Sequence, residues 1–72
     1  KRMKTITIYS TNLMTKMEEE TTLRLDKIVG CTIHNKKVII HFEGHSEDLD
    51  FTETTYAERT YREIVKYLES GE

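Results

Sequence analysis

Proline and tryptophan are absent from this 72-residue chain, cysteine occurs once, and glycine only three times. Each shortage excludes something. With Cys31 alone, no intrachain disulfide can form, so a disulfide scaffold is ruled out and a reducing compartment is favoured. No apolar run approaches the roughly 18 residues that a membrane-spanning helix needs. The basic start Lys1-Arg2-Met3-Lys4 is followed only by Ile6 and Ile8 in alternation, which is a strand pattern and not a signal-peptide core. Met3 is read as the natural start, and a cytoplasmic protein without a membrane partner is expected. Without proline, and with so little glycine, there is no candidate linker or low-complexity segment. Charge of one sign is lacking too. Lys and Arg number 11 against 13 Asp and Glu, a net −2, whereas dedicated nucleic-acid binders are usually clearly basic.

What is present reads as a single domain over 1–72. A chain this short buries only about 60% of the surface its unfolded form exposes, so its stability margin is thin. β-Branched residues at period two predict a strand over about 3–9, with Ile6 and Ile8 on one side and Thr5, Thr7 and Tyr9 on the other. Residues 10–22 read as a loop ending in the acidic run Glu18-Glu19-Glu20, with Asn12 a potential cap for a short turn carrying Leu13, Met14 and Met17. Strands are expected over about 22–34, 37–43 and 48–51, the first interrupted near Asp26 and Lys27, with a polar turn over 44–48.

The clearest local signal is a hairpin turning at Asn35-Lys36. It sets Ile33 opposite Val38, Cys31 opposite Ile40 and Val29 opposite Phe42, which gathers all six on one face. A slip of one residue would scatter them. A helix over about 54–70 follows from Ala57, Tyr61, Ile64 and Leu68 at spacings of four, three and four, with Val65 beside that stripe. Thr55 and Glu58 have the spacing of a capping box, Glu58 and Arg62 that of a favourable i,i+4 pair, and Gly71 supplies a stop. The expected fold is therefore α+β: a small antiparallel β-meander of three to four strands, packed on one face by one C-terminal amphipathic helix.

Motifs that carry chemistry are missing. There is no Gly-rich phosphate loop, no His-Glu-x-x-His and no Cys-x-x-Cys. Cys31 falls on the core face, where burial is the expectation. His34 and His41 lie roughly 13 Å apart along the strand at β rise, too far to share an ion. The acidic residues Glu43, Glu47, Asp48, Asp50 and Glu53 lack the spacing of a calcium loop. No catalytic residue, cofactor or metal is therefore expected.

Two amphipathic surfaces remain. One is the second sheet face, with Thr5, Thr7, Tyr9, Thr32, Ile39 and His41. The other is a helix stripe in which Tyr56 and Tyr67, eleven residues apart, share an azimuth next to Arg59 and Lys66; the equal alternative is that both tyrosines lean over the sheet edge and cover core. Tyr9, Ile39, His41, Tyr56, Arg59, Lys66 and Tyr67 are accordingly the candidate contact residues. The expected function is a non-catalytic interaction module that self-associates, a dimer being favoured, and binds an unknown protein partner. The composition, rich in Thr, Lys, Glu and Ile, fits an accessory or regulatory protein of a bacterium or phage. The alternative is a small nucleic-acid or nucleotide binder with a site between subunits, which the charge balance disfavours.

Overall fold

The structure, a computed structural model, describes residues 4–70. Met3 and the helix stop at Gly71 lie outside the described residues. Five antiparallel strands form two sheets, and one C-terminal helix packs on them. The α+β class holds, with more strands than the sequence pattern suggested.

β1 (Thr5–Asn12) and β2 (Met17–Arg24) make a two-stranded hairpin. Residues 10–22 are thus mostly strand and not loop. β2 reads MEEETTLR, with a single buried residue, Leu23. It forms because β1 offers a regular ladder, from Thr5↔Arg24 to Asn12↔Met17, and not because its own sequence alternates. Asn12 closes the turn much as a helix cap would. Its Oδ1 accepts from the Met14 and Thr15 amides at 3.0 and 3.2 Å, while its carbonyl accepts from the Lys16 amide at 2.7 Å. Lys16 adopts a left-handed φ of 63° to re-enter the ladder.

A 3₁₀ turn, Leu25–Lys27, ends β2 where Asp26 and Lys27 break the alternation. Its Leu25 amide donates to the Lys4 carbonyl at 3.0 Å, which ties the turn to the base of β1. β3 (Ile28–His34), β4 (Lys37–Phe42) and β5 (His45–Asp50) form the second sheet in sequential order. The β3–β4 register matches the sequence pattern from His34↔Lys37 through Cys31↔Ile40. Asn35 takes the left-handed φ of 57° in the intervening turn.

Beyond Gly30↔His41 the register shifts, and Phe42 faces Ile28 instead of Val29. A β-bulge absorbs one extra residue. Val29 is turned out to 67% exposure, and Ile28 takes its place in the core. β5 starts at His45, earlier than the expected 48. Gly44, at φ 92°, makes the tight turn that returns the chain beside β4. The polar run His45–Asp48 is an exposed strand, paired residue by residue with Phe42 to Ile39.

The helix α1 spans Thr54–Ser70. The Ala57 amide donates to the Glu53 carbonyl at 3.3 Å, so the helix begins before Thr55. Thr55 therefore sits inside the first turn and is not the cap of a capping box. The expected stripe faces the sheet, with Ala57 and Ile64 fully buried and Tyr61 and Leu68 packed around them. Glu58 and Arg62 approach to 3.9 Å across one turn.

All elements share one core, in which Ile8, Leu23 and Leu25 from the hairpin meet Ile28, Val38, Ile40, Leu49 and Phe51 from the sheet region and Ala57 and Ile64 from α1. β1 lies beside β5, while α1 lies chiefly against β3. The bulge generates a direct test by denaturant titration. Ile28→Ala should cost about 2–4 kcal/mol through the cavity it leaves, and Val29→Lys should stay within about 0.5 kcal/mol. The opposite ranking would mean that the unshifted register is the true one.

Candidate functional site

The surfaces expected from sequence fare unequally. Tyr9 is exposed on the outer side of β1, its hydroxyl 3.4 Å from Glu20 Oε2. Ile39 and His41 sit on β4, in the other sheet, both half-buried. The single Thr/Tyr/Ile/His face is thus divided between two sheets. His41 is engaged by Thr32, with Nε2 and Oγ1 2.9 Å apart.

On the helix, Tyr56 is exposed, but Tyr67 leans on the core. It lines a shallow groove of about 280 Å³ with Lys4, Leu25, Glu63, Lys66 and Ser70. The two tyrosines therefore make no common exposed stripe, because Tyr67 serves the core edge. Arg59 and Lys66 are exposed among Glu58, Glu63 and Glu69, so the helix presents mixed charge.

A group of three exposed large apolar side chains lies elsewhere. At the tip of the β1–β2 arm, Leu13, Met14 and Met17 are 52%, 93% and 67% exposed. The Asn12 hydrogen bonds fix the turn that carries them, and Asn12 Nδ2 also donates to Glu19 Oε2 at 2.9 Å. The Met17 amide donates to Thr15 Oγ1 at 3.4 Å. Behind the tip stand Glu18, Glu19 and Glu20, all exposed. Leu13 borders an open depression of about 430 Å³ whose floor is Phe51 and whose rim holds His34, Lys36, Lys37 and Asp50. The sequence did carry a signal for this site: three apolar residues within five positions and no periodicity that would place them in a core. A loop reading made them unremarkable.

Among the described residues no three His, Cys, Asp or Glu side chains gather as metal ligands would. His45 stacks on Phe42, with centroids 4.9 Å apart, and its Nε2 lies 3.8 Å from Glu47 Oε2 in an exposed pair. Cys31 is half-buried against the core, less enclosed than its core-face position suggested. Burial pushes its thiol above the ordinary value, away from the nucleophilic thiolate. In the opposite sense, Asp26 is held below the ordinary carboxylate value by its hydrogen bonds from Arg24, at 3.0 and 3.3 Å.

Two outcomes follow from these shifts. Cys31 should react with a thiol reagent more slowly in the native state than in denaturant. Its native rate should rise at higher pH than that of the unfolded chain, since the folded state binds the thiol proton more tightly. An identical pH profile in both states would show that the thiol is free in solvent. The Arg24–Asp26 contribution to stability is present above the unfolded carboxylate pKa and is lost as pH falls through the folded one. Arg24→Gln should therefore flatten the stability profile on its acid side.

Compared with known proteins, the chain matches no family model, no curated protein and no solved structure.

Proposed function

We propose that this domain is a non-catalytic interaction module, one that self-associates and that grips another macromolecule with the tip of its β1–β2 arm. The observation that carries this reading is the exposure of Leu13, Met14 and Met17 on a turn fixed by Asn12. A folded monomer gains nothing from holding three large apolar side chains in water, whereas a contact site gains their burial. Methionine is unbranched and polarisable, so it adapts to an irregular partner surface. The turn beneath it is already ordered, which lowers the entropy lost on binding. With Glu18, Glu19 and Glu20 behind the tip, the complementary partner offers an apolar recess beside cationic side chains.

The nucleic-acid alternative has weaker support. Arg62 is engaged by Glu58 at 3.9 Å, and the remaining helix cations are interleaved with carboxylates. The acidic arm would repel a phosphate backbone.

The deciding experiment immobilises the chain and compares wild type with Met14→Asp and Leu13→Asp in lysate from its native host. Both substitutions should leave stability within about 0.5 kcal/mol, as surface changes usually do, and both should abolish retention of a partner that wild type holds. A partner retained equally by all three proteins would overturn the assignment of the tip. Salt-dependent mobility shifts with oligonucleotides, unaltered by Met14→Asp, would favour the nucleic-acid alternative.

A further inference from the structure

The free edge of β2 is open to another strand. Among the described residues β2 pairs only with β1, so its other row of backbone N–H and C=O groups has no strand beside it. The edge of β3 differs. It carries the Val29 bulge, and bulges discourage pairing by twisting an edge away. β2 lacks that protection, since its ladder to β1 is unbroken over its full length.

What β2 does carry is charge, and the charge selects among partners. Glu18, Glu20, Thr22 and Arg24 point outward, while Met17, Glu19, Thr21 and Leu23 share the side of the buried Ile8. A second β2 arriving antiparallel must keep like faces together, which leaves registers centred on a single residue. Centring on Glu19 sets Glu18 against Glu20, and centring on Glu20 sets that residue against itself. Like charges directly opposite are destabilising. Centring on Thr21 removes the conflict over the whole span 18–24: Thr21 meets Thr21, Glu20 meets Thr22, and Glu18 meets Arg24 on both sides of the two-fold axis. Centring on Thr22 also pairs Glu20 with Arg24, but it drives Glu18 and Glu19 past Arg24 into the 3₁₀ turn of the other copy. Arg24 donates to Asp26 through Nε and Nη2, and its guanidinium retains further N–H groups for a second carboxylate.

We infer that two copies of this chain associate through β2, antiparallel about Thr21, to give a four-stranded β1-β2-β2-β1 sheet closed by symmetric Glu18–Arg24 pairs. The inference rests on the self-associating part of the proposed function and names the surface and register.

The test is sedimentation equilibrium on wild type, Glu18→Arg, Arg24→Glu and an equimolar mixture of the two variants, with matching melting curves as the check on folding. Wild type should dimerise. Each variant alone places like charges opposite each other at two symmetric positions, so its dissociation constant should rise roughly tenfold or more. The mixture should recover wild-type affinity, because in the heterodimer every facing pair again has opposite sign. Register is read separately by mild oxidation of Thr21→Cys in a Cys31→Ser background. Directly opposed residues lie about 4.5–5.5 Å apart at Cα, within disulfide reach, so Thr21→Cys should cross-link and Thr22→Cys in the same background should not. A dimer indifferent to both charge reversals, or cross-linking through Thr22→Cys, would overturn this interface while leaving self-association standing. A wild-type monomer at high micromolar concentration would instead remove self-association itself, and this interface with it.

Discussion

The fold depends on the closure of α1 over β3 and β4. Val38 and Ile40 on β4, and Ala57 and Ile64 on the helix, have no exposed surface at all. A domain of this size has few residues that can be removed from water so completely, and the net stability of any domain is a small difference between large terms. The other elements are arranged around that contact. The bulge at Val29 lets Ile28 reach it, the 3₁₀ turn delivers Leu25, and the base of the hairpin contributes Ile8 and Leu23.

The hairpin is anchored in the core at one end. Its base is anchored by Ile8, Leu23 and the Leu25–Lys4 hydrogen bond, but residues 13–20 are exposed throughout. A two-stranded ribbon is marginal in water on its own. Here the distal half is held by local polar contacts: the Asn12 turn, the Asn12–Glu19 bond and the Tyr9–Glu20 contact. These exposed contacts organise the arm more than they stabilise it, since exposed hydrogen bonds compete with water. The arm is therefore both shaped and accessible.

The legible and the illegible parts of the sequence divide along the same line. The β3–β4 register from Cys31 to Val38 and the stripe Ala57–Ile64–Leu68 were readable because burial writes a period into the chain, two for a strand and 3.6 for a helix. The Val29 bulge was not, because Ile28 and Val29 are equally apolar and adjacent, and the choice between them is made by three-dimensional packing. β5 was cut short because His45 to Asp48 bury nothing, and β2 was missed because only Leu23 does. Both strands are specified by the neighbour they pair with, a non-local influence that single-residue propensity does not record. Tyr67 was left between two readings for a related reason. Azimuth on a helix does not reveal that the Leu25 turn rises to meet it.

That division bears on function. A strand that buries little contributes little to the core, so its sequence is free to serve something else. β5 spends that freedom on an exposed polar surface, paired with β4 and near β1. Among the described residues β2 has a strand on one edge only, and its residues combine an acidic run with one arginine six positions from Glu18. Three consecutive glutamates suffice to keep an edge from pairing at random. They do not account for Arg24, which would weaken a purely repulsive edge and which lies where a symmetric partner would bring Glu18. The edge charges that block most pairings and the arginine that would admit one belong to the same strand, which gives the core a single buried residue.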